Sequence, residues 1–127
     1  FVSNCDVLID VNYKSVYEYH IKNNNDLTLI CSMIHQSVPY GVCETEEDGK
    51  LIELLEKPEI DYLVNVGTYL INNQCIELIP DDQFFDVTDL ISLLKKEKMQ
   101  VGVYPISQES WIDIGQMKEY KELIKGY

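Results

Sequence analysis

The stretch from Leu27 to Ile34 constrains this chain most. It is apolar and rich in β-branched residues, and so reads as a buried strand. A buried strand needs packed layers around it, and the flanking sequence offers them. Lys14 to Asn24 reads as a helix with Asn12 as its cap. Further on, Val87, Leu90, Ile91 and Leu94 recur at helical spacing behind Asp86, a second cap, and Lys95, Lys96 and Lys98 gather at the C-terminal end. Asn73 to Leu78 reads as a short helix. Gln116 to Lys125 reads as a closing one, stopped by Gly126.

Four more runs read as strands: Phe1 to Cys5, Tyr62 to Ile71 interrupted by Gly67, Gln100 to Tyr104, and Trp111 to Ile114. Tyr40 to Thr45 and Lys50 to Glu56 flank Asp48-Gly49, a dipeptide suited to a tight turn, and form an inserted hairpin. Strands and helices thus mix along the chain. The expectation is an α/β layered sheet, largely parallel with an antiparallel portion. No linker, repeat or internal domain boundary interrupts it.

Charge narrows the chemistry. The formal net charge is -12, and all ten basic residues are Lys. Nucleic acid is a poor partner for such a surface. With no Arg there is no bidentate guanidinium clamp, so an anionic ligand would need a Lys, backbone N–H groups or a metal ion. No run approaches the roughly 20 apolar residues of a membrane span, and the N-terminus has no signal-peptide pattern. Cys5, Cys31, Cys43 and Cys75 form no C-x-x-C pair and read as reduced thiols of a cytoplasmic protein. Cys31 and His35 lie four apart in and after a strand-like run, which makes a weak metal pair. The chain opens on Phe1-Val2-Ser3-Asn4, as if within a strand, so a longer parent protein is expected.

Several residues could carry chemistry. Asp6 ends a strand-like run, where open α/β sheets gather ligands, and a carboxylate there can hold Mg²⁺ against a phosphate. Glu56-Lys57-Pro58 ends the hairpin with an acceptor suited to sugar hydroxyls and a point charge suited to phosphate. Asn65-Val66-Gly67 puts a glycine inside a strand, the mark of a bulge or of close ligand approach. Tyr40-Gly41 permits backbone approach at the hairpin's start. Trp111-Ile112-Asp113-Ile114-Gly115 places a carboxylate between two isoleucines, where a cation would be a fitting partner. Each also has an ordinary reading. Asp6 could close a loop, Glu56 and Lys57 could be a solvated pair, and Asp113 could cap the last helix. His20 and His35 carry no sign of a catalytic arrangement, and no Gly-rich phosphate loop is present.

The order of these motifs, from Asp6 to Tyr120, resembles the sugar-1-phosphate nucleotidyltransferases, such as the mannose-1-phosphate guanylyltransferases and the glucose-1-phosphate thymidylyl-, uridylyl- and cytidylyltransferases. The resemblance implies that residues 1–127 are the C-terminal half of a catalytic domain, part of a Rossmann-like open mixed sheet flanked by helices, with an inserted β-hairpin. It implies transfer of a nucleoside monophosphate from a nucleoside triphosphate to a sugar 1-phosphate, with Mg²⁺ and no covalent intermediate. Asp6 and Asp113 would hold the metal. Asp6, Lys57 and Asp113 would carry the reaction. Glu56 would bind sugar hydroxyls, Lys57 the sugar phosphate, and Tyr40, Gly41, Asn65 and Gly67 would line the sugar pocket. The family's Gly-rich nucleotide loop would lie in a preceding half, without which the fragment is expected to be inactive. Ser3-Asn4-Cys5 stands where a Gly often precedes the Asp, and Gln116 stands where Thr is usual. These departures resemble the branch that carries upstream regulatory CBS domains. A fragment exposing a sheet edge is also expected to associate as a homo-oligomer. The rival reading is a non-catalytic sugar-phosphate-binding or regulatory paralogue.

Overall fold

The structure is a computed structural model that describes residues 1–116 and Lys121. In chain order the elements are β1 (Val2–Ser3), β2 (Val7–Ile9), α1 (Tyr13–Lys22), β3 (Leu27–Ser37), β4 (Gly41–Thr45), β5 (Leu51–Glu56), β6 (Glu59–Ile71), α2 (Asn73–Ile76), α3 (Val87–Lys96), β7 (Val101–Ile106) and β8 (Trp111–Asp113). A further helix begins at residues 114–116. Most of the expected closing helix, with its Gly126 stop, lies outside the described residues.

The main sheet has the order β1-β6-β3-β7. It is mixed and flanked by helices, as expected, but the largely parallel pairing is not found. β3 pairs antiparallel with β6 and parallel with β7, and β1 pairs antiparallel with β6. The mixing of strands and helices that suggested parallel pairing does not fix strand direction, because helices cover a buried strand such as β3 whichever way its neighbour runs.

Side-chain alternation along β3 builds two cores. Leu27 and Leu29 face a cluster with Tyr69, Cys75, Leu90 and Leu94. Ile30 faces the other way, into a cluster with Val16, Val66, Leu70 and Ile106. One layer is thus closed by α3 and the other by α1. Fully burying a leucine stabilises by about 1.5–3 kcal/mol. Leu90 and Leu94, both buried, therefore hold α3 on the sheet, while its cap sets where it starts.

A polar network threads the α1 layer. His20, buried, shares hydrogen bonds with Thr28 Oγ1 at 2.8 Å and Asn72 Oδ1 at 2.9 Å. Asn25 Nδ2 donates to Thr28 Oγ1, and Asn72 Nδ2 donates to the Asn25 carbonyl. Facing the Asn72 amide oxygen, His20 Nε2 is the donor in that bond, and Nδ1 faces the Thr28 hydroxyl. The sequence alone gave His20 no role. Folded, it ties α1, β3 and the end of β6 together.

No helix among the described residues is long and apolar enough to cross a membrane.

At the start of α3, Asp86 forms a capping box with Asp89. Hydrogen bonds from the Thr88 hydroxyl and from the Asp89 N–H hold its carboxyl below the usual carboxylate range. A carboxyl lowered by folding contributes stability that is present above its unfolded pKa and is lost as pH falls through its folded value. The stability gap between the wild type and Asp86→Ala, measured by urea unfolding across pH, should be largest near neutrality and shrink in acid. A gap independent of pH would contradict this account of the cap.

Candidate active site

β2 and β8 stand apart from the main sheet as a two-stranded antiparallel ribbon, with Val7 opposite Asp113 and Ile9 opposite Trp111. The Ile114 N–H donates to the Asp6 carbonyl at 2.8 Å and closes the ribbon at one end. Asp6 and Asp113, from opposite ends of the sequence, therefore meet. A Cβ added to Gly115 would lie 3.2 Å from Asp113 Oδ1 and 3.2 Å from Asp6 Oδ2. A glycine at that position leaves room for both carboxylates.

Asp113 also meets its ordinary reading, because its Oδ1 accepts the Gln116 N–H at 3.1 Å. Among the described residues, neither Asp6 nor Asp113 enters an ion pair. Two converging carboxylates without a cation repel each other, and a hard divalent ion relieves that repulsion. Among the described residues no three such ligands cluster. That donor set suits a cation such as Mg²⁺, which takes one or two carboxylates and leaves its other positions to water and phosphate.

A second cluster sits where β6 departs from regular pairing. The register with β3 slips between Leu29, opposite Tyr69, and Cys31, opposite Asn65. Gly67 lies in the displaced stretch with φ +78°. Asn65 fastens it: Oδ1 accepts the Gly67 N–H at 3.0 Å, and Nδ2 donates to the Tyr69 hydroxyl at 2.7 Å. The Asn4 N–H donates to the Gly67 carbonyl at 2.8 Å. The Asn4 side chain lies over Gly67 so closely that an added Cβ would meet Nδ2 at 2.5 Å. The segment leading to Asp6 is thereby pinned to the bulge.

The hairpin of β4 and β5 gathers a third set. Gly41 pairs with Glu56, whose Oε2 lies 3.5 Å from where a Gly41 Cβ would be. The Lys57 N–H donates to the Tyr40 carbonyl at 3.2 Å, and the Val38 N–H donates to the Pro58 carbonyl at 3.0 Å. These bonds hold Lys57 at φ +46°, left-handed although it precedes a proline. Among the described residues this set shares no hydrogen bond or ion pair with either carboxylate. Cys31 is buried, which raises its thiol pKa, while His35 bonds Asp61 on the open arm of β3 and β6.

Sequence reasoning named Asp6, Asp113, Asn65, Gly67, Tyr40, Gly41, Glu56 and Lys57. It gave no role to Asn4 or Tyr69, and it read Gly115 only as the approach to a helix. An asparagine two residues before Asp6 was visible, but nothing local showed that it would fold onto Gly67.

A family model described as nucleotidyl transferase matches residues 1–127. The chain belongs to the nucleotidyl transferase family. This family member is 29% identical to a UTP–glucose-1-phosphate uridylyltransferase of Synechocystis sp., over 99% of the chain and 34% of the relative. It is 26% identical to a mannose-1-phosphate guanylyltransferase catalytic subunit beta of Drosophila pseudoobscura pseudoobscura, over 94% of the chain and 32% of the relative. The chain spans about a third of the length of the curated relatives it matches. Among solved structures, HddC from Yersinia pseudotuberculosis superposes with a TM-score of 0.56 at 24% identity, covering 96% of this chain and 52% of that one. That likeness is one of fold.

Gly67→Ala should destabilise the transferase chain by about 1–2 kcal/mol from the left-handed backbone alone, with a further cost from the Asn4 amide. Combining it with Asn4→Ala should recover only the second part. Thermal melts of the two single variants and the double variant test this, and strictly additive losses would refute the contact.

Proposed function

We propose that this chain forms part of an enzyme that transfers a nucleoside monophosphate from a nucleoside triphosphate to a sugar 1-phosphate. A phosphate oxygen of the sugar 1-phosphate attacks the α-phosphorus, a new P–O bond forms, and pyrophosphate leaves with the electrons of the broken bond. The observation that carries this reading is the meeting of Asp6 and Asp113 beside Gly115. The family membership supports it, as do relatives whose names describe sugar-1-phosphate nucleotidyltransferases.

In this reading Asp6 and Asp113 hold Mg²⁺, which when bound neutralises charge on the phosphates. Lys57 contacts the sugar phosphate as a point charge, kept at the hairpin neck by its bond to Tyr40. Glu56 accepts hydrogen bonds from sugar hydroxyls over Gly41. Tyr40, Gly41, Asn65 and Gly67 line the sugar pocket. The chain contains neither an Arg nor a Gly-rich phosphate loop, so the nucleotide cradle is assigned to a segment outside these residues. The whole domain is then the catalytic unit, and residues 1–127 are its C-terminal half. Catalysis is positioning plus charge neutralisation, with no protein nucleophile.

The test is pyrophosphate release by the full-length protein with Mg²⁺, across nucleoside triphosphates and sugar 1-phosphates. One pair, or a few related pairs, should react. In the reacting pair Asp113→Asn should lower turnover by about 100-fold or more, while its melting temperature changes little because Asn also caps a helix. Turnover near the wild-type level would remove Asp113 from the metal. Silence across the grid would favour a sugar-phosphate-binding paralogue.

A further inference from the structure

The Asn4 side-chain amide is a polar group beside the bulge that has no hydrogen-bond partner among the described residues. Asn65 has committed one amide hydrogen to the Tyr69 hydroxyl and one lone pair to the Gly67 N–H. The Asn4 backbone N–H is committed to the Gly67 carbonyl. Its side chain, by contrast, has no hydrogen-bond partner among the described residues, and the residue is exposed. It lies against the α-carbon of Gly67, with Nδ2 at 2.5 Å and Cγ at 2.9 Å from where a Cβ would stand. That space exists only because residue 67 is glycine. The Asp6 carbonyl, two residues on, accepts the N–H of Ile114, the residue that follows β8. One short segment is thus fixed at both ends, with a free amide at one end and a metal-type carboxylate at the other.

We propose that Asn4 is a specificity residue of the same site and hydrogen-bonds a hydroxyl of the sugar ring whose phosphate lies at Asp6 and Asp113. The inference rests on the reading of this site as a sugar-1-phosphate site. An amide offers both a donor and an acceptor, and a ring hydroxyl is both at once. An exposed amide without a protein partner can take up such a hydroxyl without breaking a bond within the chain. A site that pairs a substrate hydroxyl discriminates against an analogue lacking it, because the protein group is then left unpaired.

The experiment uses the full-length protein, its reacting sugar 1-phosphate and the set of monodeoxy analogues of that sugar, with wild type, Asn4→Ala and Asn4→Ser. With wild type, one analogue should lose about tenfold in kcat/KM relative to the parent sugar. Asn4→Ala should lose about tenfold on the parent sugar and no longer distinguish that analogue from it. Asn4→Ser, which keeps a donor and an acceptor, should recover part of the discrimination. Equal losses on the parent and every analogue, or no loss, would overturn the role of Asn4 while leaving the transferase reading intact. If wild type releases no pyrophosphate with any pair, the transferase reading fails. Calorimetric binding of the same sugar phosphates to the same variants then decides the role of Asn4 by the same pattern. Absence of any sugar-phosphate binding would overturn both.

Discussion

The first half of β3, Leu27 to Ser32, is paired along both edges and largely buried, and the remaining elements are arranged around that condition. Its odd-numbered apolar residues require α3, and Ile30 requires α1. A strand in that position has no free polar backbone to offer, so β6 and β7 must take both of its edges. The buried His20 network then fixes α1 to β3 and to the turn after β6 through directional bonds. Apolar packing sets which layers meet, and these bonds set their register. Their partners would be costly to leave unpaired in the interior.

The same condition explains the bulge. β6 serves β3 on one edge and the short β1 on the other, with Thr68 opposite Ser3 and Tyr69 opposite both Val2 and Leu29. The slip around Gly67 separates this stretch from the arm that continues from Asn65 to Glu59 beside β3. The Asn4 N–H fastens to Gly67 within that slip, so the start of the segment bearing Asp6 is set by the irregularity. The other end is set by the β2–β8 ribbon. An irregular strand and a small detached ribbon thus fix one short segment, and the regular sheet fixes neither directly.

Much of this was legible in the sequence, and the misses share a cause. α3 was readable because its period, cap and terminal lysines are all local. The hairpin was readable because Asp48-Gly49 specifies its own turn. Gly67 was readable as a bulge, since a glycine inside an apolar strand has few other uses. β2 was not among the strands read from the sequence, because Val7–Ile9 is a strand only through its partner Trp111–Asp113, far along the chain. Strand direction failed for the same reason, since side-chain composition reports burial and not the direction of the partner. At the site, motif order supplied both carboxylates, yet their meeting is a property of the ribbon. Asn4 stayed invisible because its placement needs Gly67, which its own neighbours do not reveal.

Charge explains why so few groups could handle a phosphate here. With a formal net charge of -12 the chain repels anions at long range. Salt screens that repulsion beyond roughly 8–10 Å, so capture of a phosphate would rest on groups closer than that. In the proposed reading those would be a cation between Asp6 and Asp113, Lys57, and backbone N–H groups. A lysine on a free surface would spend binding energy on ordering its long side chain. Lys57 begins from a backbone already clamped in the left-handed region by Tyr40, at a cost met during folding. In the proposed reading, strain at that residue fits a site in which one lysine would stand in for the arginine clamps the sequence lacks.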